Sequence, residues 1–149
     1  MSTPRSILVN VEALSTGDLE VQVIQDLLAL SAPEVQGVDL HHVGHHGSRN
    51  GTNAALLAAH TPVTAVISLG SPTREVEHSA WRYGYPRVEV VALLAASVTG
   101  RVTARSVPVA TGQGVFEATA IDAAIYGTGW DGDVAIRAVA NGEHACVLR

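Results

Sequence analysis

Four of the chain's seven histidines fall within six positions, in Leu40-His41-His42-Val43-Gly44-His45-His46-Gly47-Ser48-Arg49-Asn50-Gly51. Imidazole is a common nitrogen ligand for divalent metals, and an ordinary pKa near ~6.5 leaves it largely neutral, and able to ligate, at neutral pH. The four stand where a short apolar run gives way to Gly, Ser and Asn, the pattern of a strand opening into a loop. Such a loop suits metal binding or acid–base work, and a solvated loop rich in histidine has the same composition. A carboxylate, Asp18, stands in Leu14-Ser15-Thr16-Gly17-Asp18-Leu19-Glu20, between a strand pattern and a helix pattern. On its own Asp18 reads as an N-cap, because Asp accepts readily from the first free amides of a helix.

The elements that must position these residues follow from periodicity. Residues 7–14 alternate Ile7, Val9, Val11 and Ala13 against Leu8, Asn10, Glu12 and Leu14, a strand with one apolar face. Over 19–31 a helix is expected, with Val23, Ile24, Leu27 and Leu28 as its buried stripe and Ala32-Pro33 as its stop. Residues 38–43 make the next strand, leading into the histidine loop. Thr52 or Asn53 caps a short helix over 54–60, and Thr61-Pro62 ends it. His60 at that helix end suits a cation facing the helix dipole and is assigned no chemistry. Residues 63–69 are nearly all apolar, as expected of an interior strand covered on both faces. A polar, irregular stretch over 70–85 precedes a helix over 87–98. Pro86 is placed in its first turn, Val90, Val91, Leu94 and Val98 on its stripe, and Gly100 at its end. Strands are then expected over 121–126, 134–139 and 144–148, with Trp130-Asp131-Gly132-Asp133 and Asn141-Gly142 as hairpin signals. The expected fold class is α/β, a βαβαβα unit followed by C-terminal β-hairpins, in a single domain over 1–149.

The order strand, Thr16-Gly17-Asp18, helix, strand, Val43-Gly44-His45-His46-Gly47-Ser48 resembles the C-terminal half of metallo-β-lactamase-fold hydrolases. It looks most like the soluble hydrolase domain of ComEC-type DNA-uptake (competence) proteins. The resemblance runs from about residue 6 to residue 94, with a weaker echo beyond. It implies a partial αββα layer and a two-zinc site in intact relatives. Asp18 would be the carboxylate bridging the metals and His45 the last histidine ligand, and both are thereby the catalytic candidates. His46 would support that ligand or touch substrate, and packing against the loop backbone explains it equally well. Ser48, together with Asn50, reads first as loop-shaping, and Ser48 as a neighbour of the site by resemblance. His41 and His42 point to opposite faces of a strand, so only one can look toward the site, and each reads better as a core or solvated residue.

Two departures weigh against a complete centre. The His-x-His-x-Asp-His motif that supplies most ligands of the first metal is absent. Where relatives read Tyr-Gly-His-Pro, the chain reads Tyr83-Gly84-Tyr85-Pro86, with His78 as the nearby imidazole that could stand in. The resemblance therefore implies metal-assisted phosphodiester hydrolysis of DNA in intact relatives, with zinc weak or absent in this chain by itself. Whether the chain alone is an enzyme stays open. Its expected partners are a polypeptide supplying the missing N-terminal half, a second copy of itself, or DNA. The alternatives are a non-catalytic binding or assembly module on the same scaffold and a truncated reading frame.

Composition narrows the classes. A net charge of -5 argues against a nonspecific grip on nucleic acid, although Arg49, Arg74, Arg82 and Arg87 could form a local basic rim. Cys146, the single cysteine, cannot form an internal disulfide, and its apolar surroundings suggest an inert buried thiol. No apolar run approaches the ~18 residues of a membrane span, and residues 1–6 lack the apolar core of a signal peptide, so a cytoplasmic location is expected.

Overall fold

The computed structural model describes residues 11–31, 36–139 and 143–148. The expected strand residues 7–10, the Ala32-Pro33 stop and the Asn141-Gly142 turn lie outside the described residues. The chain is mixed α/β with a four-stranded sheet in the order β1 (Ala13–Ser15), β2 (Leu40–His42), β3 (Thr64–Ile67), β6 (Ile125–Gly127), every neighbouring pair parallel. Helix α1 (Val21–Ser31) joins β1 to β2, and α2 (Ala54–His60) joins β2 to β3. Beyond β3 come the short α3 (Ala80–Tyr83), then α4 (Val88–Ser97), and a long antiparallel hairpin of β4 (Arg101–Gly112) and β5 (Val115–Ala123). One helical turn, α5 (Thr128–Asp131), follows β6, and β7 (Val134–Ala138) and β8 (His144–Leu148) form a last antiparallel pair.

Because successive parallel strands advance in one direction, right-handed crossovers place their helices on one face of the sheet. The core follows that geometry. Ala65 and Ile67 of β3 and Ile125 of β6 pack with Leu57 of α2, with Val90, Val91 and Leu94 of α4, and with Val107, Val109, Ile121 and Ala123 of the hairpin. The expected stripe Val90, Val91, Leu94, Val98 is buried throughout. The other face is thinly covered: Ala13 and Ser15 are exposed, and Leu40 and Val66 half-buried. The β7–β8 pair reaches this face through a 2.9 Å contact between Thr64 Oγ1 and His144 Nε2 and through Cys146 beside Tyr126.

Residues 63–69 hold the interior strand as expected, and Asn53 is the N-cap of α2, accepting from the Leu56 amide at 2.8 Å. Other expectations are corrected. Helix α1 begins at Val21, so Asp18 stands outside it and caps nothing in it. Val23 is 47% exposed, and Ile24 alone of the expected stripe is fully buried, with Leu27 and Leu28 half-buried. Pro86 precedes α4 rather than opening it, because its carbonyl is taken by the Ala110 amide and Arg87 is the extended N-cap. The helix closes at Ser97 with Val98 as its C-cap, within a residue of the expected end, and Thr99 and Gly100 donate to Pro62 and Val63. The 121–126 run splits at Ala124, one part pairing in the hairpin and the other entering the parallel sheet. Trp130-Asp131 makes a helical turn instead of a hairpin, since the Asp131 carboxylate turns inward to Arg105 and the Gly127 amide.

Candidate functional site

Parallel pairing brings the C-terminal ends of β1, β2 and β3 to a single rim, where open α/β sheets commonly bind their ligands. The loops after β1 and β2 are clamped together there. The His45 amide donates to the Gly17 carbonyl at 2.9 Å. Gly44 permits this approach, since a Cβ on it would lie 2.6 Å from Thr16 Oγ1 and 2.9 Å from the carbonyl oxygens of Gly17 and Gly51. The chain then makes a left-handed turn: His45 has φ 49, ψ 42, His46 φ 53, ψ 26, and Gly47 φ 78. A side chain in this region costs roughly 1–2 kcal/mol per residue, so two successive histidines need outside support. They receive it from the Ser48 amide on the His45 carbonyl at 2.8 Å and from the Arg87 amide on the Gly47 carbonyl at 2.9 Å.

The result is a convergence of the two residues singled out in the sequence. His45 Nε2 lies 3.8 Å from Asp18 Oδ1, with the Asp18 side chain largely exposed. His45 Nδ1 is 3.1 Å from Asn50 Oδ1, Ser48 Oγ also donates to that oxygen, and Asn50 Nδ2 donates to Glu20 Oε1 at 3.1 Å. Ser48 and Asn50 shape the loop through side-chain to side-chain bonds, where side-chain to backbone bonds are expected from the sequence. His46 Nδ1 donates to the Ser68 carbonyl at 2.6 Å, which packs His46 against loop backbone while its ring lines the cleft beside Asp18 and His45.

The donor set fits two positions around one divalent ion. Two ligand atoms each ~2.0–2.2 Å from a tetrahedral ion stand roughly 3.3–3.6 Å apart, close to the separation of Asp18 Oδ1 and His45 Nε2. Among the described residues no group of three His, Cys, Asp or Glu side chains is placed to hold a metal. The Asp18–His45 pair is thus one side chain short of the three that catalytic zinc sites use.

These residues open on a cleft of about 540 Å³, lined further by Arg74, Glu77, His78, Tyr83 and Tyr85. His78, at φ 55, shares a 2.8 Å hydrogen bond between Nδ1 and the Tyr83 hydroxyl, and Tyr83 stacks on Tyr85 with ring centres 6.0 Å apart. His78 therefore shares the cleft with Asp18 and His45 without joining a metal-binding group among the described residues. The basic rim is largely neutralised: Arg49 and Arg87 pair with Glu89, and Arg82 with Glu77. Arg74 lines the cleft and has no ion pair among the described residues.

The remaining histidines divide by strand face. His41 is fully buried and meets His60, also fully buried, so His60 is no helix-end cation. Burial, then the neighbouring His60 and His42, lowers the His41 pKa to about 3, and burial lowers that of His60 to about 4. His42 is neither core nor solvated. It spans the rim, with Nδ1 2.8 Å from Ser15 Oγ and Nε2 2.9 Å from Ser68 Oγ. Ser68 supports both His42 and His46, and its one signal in the sequence is a hydroxyl inside the apolar run 63–69. Cys146 is half-buried, its thiol pKa raised by burial and then by Asp131.

No helix among the described residues is long and apolar enough to cross a membrane. Comparison with protein-family models, with characterised proteins and with solved structures gives no match.

Proposed function

We propose that the chain is the C-terminal part of a metal-dependent hydrolase of the metallo-β-lactamase fold, ComEC-like, acting on phosphodiesters of DNA when its metal centre is complete. The observation that carries the reading is the meeting of Asp18 and His45 on the C-terminal rim of adjacent parallel strands, at 3.8 Å and at the mouth of a cleft. The one-sided sheet supports it as well. Helices on one face and a thinly covered second face suit one half of an αββα layer, whose open face a second αβ unit or a second copy of the chain would cover.

In this reading Asp18 and His45 hold zinc as part of a set completed by a His-x-His-x-Asp-His segment on another polypeptide. The metal supplies an activated water and offsets the negative charge that develops on the phosphodiester. The chain's own residues do the rest. Arg74 attracts the anionic substrate into the cleft, and His46, anchored through Nδ1, turns Nε2 toward it. The Tyr83–His78 pair, hydrogen-bonded at 2.8 Å, offers a hydroxyl and an imidazole that bind and orient the substrate. With two donors, the chain alone binds metal weakly and turns over no substrate.

Supplying a polypeptide that carries the missing segment tests this. Metal uptake and phosphodiesterase activity are expected to appear together and to be lost with Asp18→Asn or His45→Ala. Equal metal uptake by the Asp18→Asn and unsubstituted complexes would contradict it. The lack of a third ligand among the described residues favours one other reading, a binding or assembly module that keeps the scaffold without metal. Unchanged partner binding in both variants would support that module.

A further inference from the structure

The three hydrogen bonds around Asn50 have only one consistent set of directions. Glu20 Oε1 is a carboxylate oxygen and can only accept, so the Asn50 atom 3.1 Å from it must be the amide nitrogen. That assignment leaves Asn50 Oδ1, an acceptor alone, facing both Ser48 Oγ and His45 Nδ1. Both neighbours must therefore donate, and His45 carries a proton on Nδ1. A neutral imidazole in water keeps its proton mostly on Nε2, so Asn50 reverses the ordinary preference. The consequence lies across the ring. Nε2, 3.8 Å from Asp18 Oδ1, is too far for a hydrogen bond and in the neutral ring has no proton to give. A lone pair and a carboxylate oxygen face one another, a pair of donors that one cation can bridge.

We infer that Asn50, oriented by Glu20, is a positioning residue that fixes the His45 proton on Nδ1 and so presents the Nε2 lone pair and the Asp18 carboxylate to one cation. The inference deepens the metal reading above and rests on it for the cation, while the tautomer stands on the hydrogen bonds alone. Partners behind a ligating imidazole commonly govern affinity by 10–100-fold. Glu20 reaches the centre through Asn50, from the segment that leads into α1, so two separate stretches of chain converge on one proton.

The test is ¹⁵N NMR of the imidazole nitrogens in the metal-free full-length chain at pH 8. His45 is expected to show a protonated Nδ1 and an unprotonated Nε2. Asn50→Leu moves the proton to Nε2, and Asn50→Asp combined with Glu20→Gln, which keeps an acceptor at Nδ1 and a donor facing position 50, retains it. Exposed Glu20→Ala, which leaves the fold intact, frees the Asn50 amide and weakens the preference. Zn²⁺ titration of the same proteins is expected to show affinity 10–100-fold lower in Asn50→Leu and restored in the Asn50→Asp, Glu20→Gln pair. An Nε2-protonated His45 in the unsubstituted chain, or a tautomer unmoved by Asn50→Leu, overturns the inference. A preset Nδ1 tautomer with no Zn²⁺ binding leaves the positioning role standing and removes the metal reading beneath it.

Discussion

The imidazoles of His41 and His60 lie 4.7 Å apart, tilted by 53°, and both are fully buried between β2 and the end of α2. Among the described residues none of their four ring nitrogens has a hydrogen-bond partner of good geometry, and burial holds both rings neutral. Their folded-state pKa values, about 3 and about 4, lie below the ordinary 6.5, and between those limits the unfolded chain binds more protons. Stability is therefore full above about pH 6.5 and falls as pH drops toward 4, at roughly 1.4 kcal/mol per pH unit for each histidine. Urea unfolding from pH 7 to pH 4.5 is expected to show this slope, and His60→Leu to reduce it by about one proton. A stability flat across that range would contradict the buried neutral pair.

Gly44 tests the clamp between the two loops. Its backbone is open to any residue, so Gly44→Ala acts through space alone, driving a methyl against Thr16 Oγ1 and two carbonyl oxygens. A loss of about 1–3 kcal/mol in stability is expected, as for other overpacked sites. The His45 amide should also lose its protection from hydrogen exchange as the bond to Gly17 opens. Unchanged protection would mean the loops are held by something else.

The ion pair of Arg105 with Asp131 carries the C-terminal half. The Asp131 side chain is 4% exposed and takes Arg105 together with the Gly127 amide at 2.9 Å, and Arg105 also donates to the Ile125 carbonyl at 2.8 Å. Asp131→Ala is expected to cost about 3 kcal/mol, since it strands a partly buried guanidinium. Arg105→Met with Asp131→Leu should cost less, because no unpaired charge remains. A single substitution milder than the double, by thermal unfolding, would contradict this account.

How much of this was legible beforehand depended on range. The interior place of β3 and the Val90-Val91-Leu94-Val98 stripe follow from local periodicity and hold, while the cover expected on both faces of 63–69 is found on one. Asp131 was misplaced because Asp-Gly is a turn signal locally, whereas its carboxylate answers to Arg105, 26 residues away. His60 was misassigned for the same reason: a helix end favours a cation, but His41 arrives from another strand and excludes water. Asp18 and His45 stood out by residue type and motif. Their support was invisible, because Asn50 and Glu20 are 30 residues apart and Ser68 follows a third strand. Nor does any local pattern announce a left-handed His45-His46-Gly47 turn.

The central claim is that Asp18 and His45 share one divalent ion, and paramagnetic Mn²⁺ tests it most directly. Titrated into the isotope-labelled chain at pH 8, Mn²⁺ is expected to broaden the resonances of Gly17, Asp18 and Gly44 to His46 before any others, weakly and in the fast-exchange range. Asp18→Asn and His45→Ala should each abolish that selective broadening. Broadening centred elsewhere, or left unchanged by Asp18→Asn, would show that the pair does not bind metal.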